Sequence, residues 1–158
     1  MMNNKGTKEQ SFGLEIPGWK RVHIPEDVER LATVVVDSAF AVHSELGPGL
    51  LESAYEACLG HELRLRGVKH QLQLSVPLNY KGLRFEIGYR ADVVVEEKLL
   101  IELKAVDQPL PVHTAQVITY LRLKKFPLGL LINFNEVLIK HGIHRVLNVP
   151  RSPDKVLT

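Results

Sequence analysis

Tyr89 to Lys104 reads Y-R-A-D-V-V-V-E-E-K-L-L-I-E-L-K. It is apolar on both sides of a charged tip, Glu96-Glu97-Lys98, the pattern of a β-hairpin. A three-residue tip sets Val95 opposite Leu99, and counting outward sets Asp92 opposite Glu102. Side chains alternate faces along a strand. Val93, Val95, Leu99, Ile101 and Leu103 then form an apolar face suited to a core. Asp92, Val94, Leu100, Glu102 and Lys104 form the other. Directly opposed residues have Cβ atoms roughly 4.5–5.5 Å apart, close enough for two carboxylates to share one cation. A slip of one residue would put the acids on different faces.

Opposed like charges destabilise a sheet, so a divalent metal or the Lys104 ammonium is expected to compensate. Glu102-x-Lys104 alone reads as a solvated surface pair worth little. Its setting in Val/Leu/Ile-rich strands places the acids instead in a partly covered cleft.

Upstream, Gln71–Leu78 alternates as a half-buried strand, Asn79-Tyr80-Lys81-Gly82 is turn-like, and a strand from Leu83 runs through Gly88 into the hairpin. Gly88 is expected to mark a bend or bulge that aims Asp92. Earlier still, Pro25-Glu26-Asp27 starts a helix whose Val28, Leu31, Val35, Ala39, Val42 and Leu46 recur at helical spacing. Gly47-Pro48-Gly49 breaks it, and a second helix runs from about Leu50 to Arg66. Residues 1–23 lack a period and read as a mobile arm in which Trp19 docks on the body.

Downstream, Pro109 and Pro111 force a loop. A helix over about Val112–Lys125 presents Ala115, Ile118 and Leu121/Arg122 on one face and His113, Gln116 and Tyr120 on another. Leu128–Phe134 suits a buried strand, and Val137–Lys140 and Ile143–Leu147 suggest one or two closing strands. One domain over 24–149 with a tail at 150–158 is therefore expected.

The chain of 158 residues is 45% hydrophobic and 24% charged, with one cysteine, Cys58. That composition is ordinary for a soluble domain and excludes an internal disulfide or a cysteine-based zinc site. No apolar run approaches the ~18 residues of a membrane span, and Met1–Gln10 lacks the apolar centre of a secretory signal. A reducing, cytoplasmic setting is the expectation. Residues 1–79 carry 8 basic and 10 acidic side chains, and residues 80–158 carry 12 and 8. The excess includes Arg122, Lys124, Lys125, Lys140 and Arg145. It fits a phosphate backbone or an ordinary mixed surface equally well. The phosphate-binding and serine-hydrolase signatures G-x-x-x-x-G-K-[ST] and G-x-S-x-G are missing, and the histidines form no zinc constellation.

D-x9-E-x-K on a hairpin resembles the metal-binding core of the PD-(D/E)XK nuclease superfamily, with Ala91 where a Pro often precedes the acid. Gly49-Leu50-Leu51-Glu52-Ser53-Ala54-Tyr55 matches G-x-x-E-x-x-Y, the signature of a small-protein family assigned to that superfamily. Gln116-x-x-x-Tyr120 matches the Q-x-x-x-Y element of its exonuclease-like branches. Without the resemblance, Glu52 reads as a dipole-compensating acid in a first turn, Tyr55 as core, and Gln116 as solvated beside a packed Tyr120.

The resemblance implies an α/β, restriction-endonuclease-like fold, a mixed central β-sheet flanked by helices. It implies a Mg²⁺- or Mn²⁺-dependent phosphodiesterase acting on nucleic acid, DNA first. In that reading Asp92, Glu102 and the Leu103 carbonyl hold the metal and Glu52 completes its shell. Lys104 orients water or stabilises the phosphate, Gln116 positions water or phosphate, and Tyr120 packs beside it. The alternative is a non-catalytic module on the same scaffold, binding nucleic acid or a protein.

Overall fold

A computed structural model describes residues 22–149. The expected arm, with Trp19, and the expected tail lie outside the described residues, apart from Val22 and His23. Helix α1 spans Glu26–Leu46 and α2 Glu52–Leu65. Strands β1 (His70–Tyr80), β2 (Leu83–Val95) and β3 (Leu99–Lys104) follow, then α3 (Pro111–Lys124), β4 (Leu128–Asn133) and β5 (Ile143–Leu147). The strands lie side by side in chain order. All neighbours are antiparallel except β3 and β4, which are parallel and joined through α3. A parallel pair needs such a crossover.

Three acids, Glu26, Asp27 and Glu29, fill the first turn of α1, where the dipole favours them. Gly47, at φ 65°, ends it with an N–H···O bond to His43. The buried stripe Val28, Ala32, Val35, Ala39 and Val42 packs on the sheet. Helix α2 adds Tyr55, Leu59 and Leu63 to the same layer, against Val93, Val95, Leu99, Ile101 and Leu103. Across the sheet, Val117, Tyr120 and Leu121 of α3 cover Val94, Leu100 and Leu131. Near the tip the expected two faces of the hairpin are present, each with its own helical cover, but the expected pairing of Asp92 opposite Glu102 is not: the ladder ends at Val93–Ile101, and Asp92 instead bonds the Leu103 N–H.

Some local expectations give way. Ala115 is exposed, and α3 turns Val117, Tyr120 and Leu121 inward instead. Gly129 is the reason α3 can come so close: a methyl there would sit 2.8 Å from Val117 Cγ1. Val137–Lys140 is not a strand. Turns and a single 3-10 turn at Ile139–His141 fill that space, leaving β5 as the one closing strand among the described residues.

The hairpin tip is as expected, with Val95 paired to Leu99, Val94 to Leu100 and Val93 to Ile101. Glu96 and Glu97 take left-handed φ values of 50° and 55°, which cost about 1–2 kcal/mol each in a side-chain-bearing residue. Lys69 exchanges main-chain and side-chain hydrogen bonds with Glu96, and Lys98 pairs with Asp27 at 2.7 Å. These ties hold the tip against α1 and the start of β1.

Below the tip the alternation reverses. Val93 and Val95 face the α1–α2 layer, yet Ala91 and Tyr89, of the same parity, lie in the α3 layer. On β1, Leu72 reaches Gly60 of α2 whereas Leu74 and Val76 join the α3 layer. The switch coincides with Gln73, which has φ 52° inside a strand, and with Asp92 beside it on β2. A second irregularity follows between Val76 and Leu78, opposite Tyr89 and Phe85. Gly88 belongs to it, because a methyl there would collide with Leu78 Cβ. The bulge expected at Gly88 is therefore present.

Candidate metal and nuclease site

Where the β2–β3 ladder ends, the strands part and side chains fill the gap. Asp92 Oδ2 accepts the Leu103 N–H at 2.8 Å, a bond that fixes the carboxylate in the gap. Asp92 and Glu102 are 8% and 4% exposed, so both acids are buried rather than partly covered. In an extended strand a residue's N–H and C=O point to the same edge, and the next residue's to the other. The Lys104 carbonyl accepts from Phe134 on the β4 side. The Leu103 carbonyl accordingly faces the gap beside Asp92.

Glu102 Oε2 accepts the Tyr89 hydroxyl at 2.8 Å, and its Oε1 lies 3.4 Å from Lys104 Nζ. Burial first, then the Asp92 charge, pushes the Glu102 carboxyl up to about 7; Tyr89 and Lys104 oppose this only in part. Two carboxyl groups thus face one ammonium, and burial favours the protonated form of Glu102. Burial and the neighbouring carboxylates push Tyr89 well above the usual phenol range, so it stays a donor. Tyr89 packs on Tyr120 at 5.3 Å between ring centroids, and Tyr120 packs edge-on to Phe126. The Tyr120 hydroxyl is buried with no hydrogen-bond partner among the described residues, and burial pushes it up to about 12.

Glu52 opens α2. Its position follows from the turn before it. Tyr55, fully buried, donates to the Gly47 carbonyl at 2.6 Å and accepts the Leu50 N–H at 3.1 Å, while its ring stacks on Phe134 at 4.6 Å. Gly49 supplies a φ of 101° that other residues avoid. In G-x-x-E-x-x-Y the Gly and Tyr therefore build the turn that presents the Glu. Half-buried Glu52 is raised from its ordinary carboxylate value by burial and by Asp92, with Lys104, His113 and the Ala105 amide opposing.

Helix α3 brings His113 to the same region, its ring capping the Leu110 N–H at 3.0 Å. Gln116 is exposed one turn further along. The structure thus brings Asp92, Glu102 and Lys104 together, with Glu52 within electrostatic reach of Asp92 and Lys104 but not converged with the two acids, Tyr120 beneath them and Gln116 on the outer surface of the covering helix. Of the basic excess, Arg145 is committed elsewhere, forked onto Glu29 of α1 at 2.6 and 2.9 Å, and Arg122 donates to the Val149 carbonyl.

Three participants escaped the sequence reading. Tyr89 was hidden by the reversed alternation. Glu56 is one turn after Glu52 on the same helix face, a spacing that could have flagged it. Gln73 donates its amide to Glu56 Oε2 at 2.6 Å and to Asp92 Oδ1 at 3.3 Å.

Among the described residues no three His, Cys, Asp or Glu side chains converge as a ready ligand set. The donors at the gap are two carboxylates and a main-chain carbonyl. Hard oxygen donors of this kind fit a hard divalent cation.

No helix among the described residues is long and apolar enough to cross a membrane. No curated protein matches the chain. The crystal structure of SSO0001 is similar to it at 20% identity with a TM-score of 0.45, over 77% of this chain and 63% of that one. The chain thus spans less than two-thirds of that protein's length. The family description "PD-(D/E)XK nuclease superfamily" matches residues 29–146, well over half of the sequence. The mixed sheet flanked by helices is the restriction-endonuclease-like fold expected from the hairpin. The chain belongs to the PD-(D/E)XK nuclease superfamily.

Proposed function

We propose that the protein is a Mg²⁺- or Mn²⁺-dependent nuclease that hydrolyses phosphodiester bonds in DNA, and that it is one of the G-x-x-E-x-x-Y proteins within its superfamily. Nucleases of the superfamily generally use divalent metal ions and act on nucleic acid. The observation that carries the reading is the buried Asp92 and Glu102 carboxyl groups beside one lysine.

Asp92, Glu102 and the Leu103 carbonyl would hold the ion, with Glu52 as a further acid at its edge. When bound, the ion lowers the pKa of a water and neutralises charge on the scissile phosphate. The Leu103 N–H holds Asp92 Oδ2 and the Tyr89 hydroxyl holds Glu102 Oε2, while Asp92 Oδ1 and Glu102 Oε1 keep only longer contacts, to the Gln73 amide at 3.3 Å and to Lys104 at 3.4 Å, and are the oxygens that would serve an ion. Lys104 orients the attacking water and stabilises the crowded phosphate. Gln116 contacts phosphate from the helix surface, and Tyr120 supports Tyr89. Residues 24–149 act as one domain in this reading.

The test is incubation of linear, nicked and single-stranded DNA with Mn²⁺, beside Asp92→Ala. Cleavage by the wild type that falls at least about 100-fold in the variant supports the proposal. No Asp92-dependent cleavage of any substrate would replace it with a binding module on the same fold.

A further inference from the structure

Gln73 is odd in two ways. A residue other than Gly, Asn or Asp rarely takes a left-handed φ, and inside a strand it also disrupts the ladder. Gln73 does so at 52°, and its pairing with Asp92 is missing between the pairs Leu72–Val93 and Leu74–Ala91. Strain of this kind persists only where surrounding structure over-determines it, and it gathers at functional sites. Here the surroundings are specific. The amide nitrogen bridges Glu56 Oε2 at 2.6 Å and Asp92 Oδ1 at 3.3 Å. Its two hydrogens are thus shared between two carboxylates that would otherwise face each other.

We propose that Gln73, braced by Glu56, is a positioning residue for Asp92. It acts on Oδ1 as the Leu103 amide acts on Oδ2, so that the carboxylate is gripped from both sides and its orientation is set before an ion would bind. This rests on the metal-dependent reading above. The kinked backbone and the amide have separate jobs: the kink turns the strand, and the amide sets the carboxylate angle. Outer-shell partners of metal ligands commonly change affinity 10–100-fold when removed.

Gln73→Gly separates the two jobs. Glycine accepts the left-handed conformation and removes the side chain with its amide. The exchange is neutral, so a change in cation affinity cannot come from net charge. Calorimetric titration of Mn²⁺ into wild type, Gln73→Gly, Gln71→Gly and Glu102→Ala, each with a thermal melt in chelator, is the experiment. Gln71→Gly loosens the same strand without touching Asp92. The expected result is affinity about 10-fold weaker for Gln73→Gly, unchanged for Gln71→Gly and lost for Glu102→Ala, with Gln73→Gly melting no lower than Gln71→Gly. Unchanged affinity in Gln73→Gly, or equal losses in both glycine variants, overturns the proposal while leaving the metal site intact. No Mn²⁺ binding by wild type, or binding that survives Glu102→Ala, overturns the metal-dependent reading and this inference with it.

Discussion

The Tyr89 hydroxyl donates to Oε2 of Glu102 at 2.8 Å, across a strand gap that regular alternation would have closed to it. Tyr89→Phe keeps the ring packed on Tyr120 and removes that donor. The bond helps hold the Glu102 proton affinity down, so its loss moves the acid limb of the pH–rate profile upward. We expect cleavage to fall about 10-fold, with a stability loss of about 1 kcal/mol. Rate measurements between pH 5.5 and 9 and a denaturant titration check both.

Glu102 makes the metal-free protein sensitive to pH. Its folded pKa is about 7 against the ordinary 4.5. Between these values the folded chain keeps a proton that the unfolded chain has released. Stability from this group is therefore full below about 4.5 and is lost as the pH rises through about 7. At about 1.4 kcal/mol per pKa step, the loss is on the order of 3 kcal/mol. Glu102→Gln should abolish cleavage yet raise the melting temperature at pH 8 in chelator, and change it little at pH 4. Mn²⁺ affinity of the wild type should rise with pH across the same window.

Tyr55→Phe preserves the stack on Phe134 but frees the Gly47 carbonyl and the Leu50 amide. The expected cost is about 1–3 kcal/mol. Because that turn presents Glu52, cleavage should fall further than the folded fraction does. Comparing rates with the circular-dichroism melt under the same conditions separates the two effects.

Asn133 is fully buried at the end of β4. It accepts the Val106 N–H at 3.1 Å and donates to the Val106 carbonyl at 2.8 Å. This clamps the loop that leaves Lys104. Asn133→Ala should cost about 2–3 kcal/mol and speed hydrogen exchange at Val106 before any global opening.

The hairpin was legible because everything that sets it is local. Loop length fixes the register at Val95–Leu99, and apolar alternation assigns Val93 and Val95 to one layer. The helix start at Glu52 after Gly49 was legible, but its candidacy for the site came from the resemblance and not from the helix start, which alone reads as a dipole-compensating acid. The face reversal at Gln73 was not, since no Gly, Asn or Asp announces the left-handed residue and its support is tertiary. That one omission hid Tyr89 and Gln73 together. The inner face of α3 was misjudged at Ala115 for a related reason. Packing there follows Gly129 on β4, a residue distant in sequence that admits Val117 closely.

The half-turn at Gln73 and Asp92 makes a single ribbon a shareholder in both hydrophobic layers, Val93 and Val95 on one side, Ala91 and Tyr89 on the other. A carboxylate at that crossing is anchored by two cores at once. The Asp92 backbone therefore sits where both helical covers bear on it. Substitutions far from the cleft, in either layer, thereby become levers on the aim of one side chain.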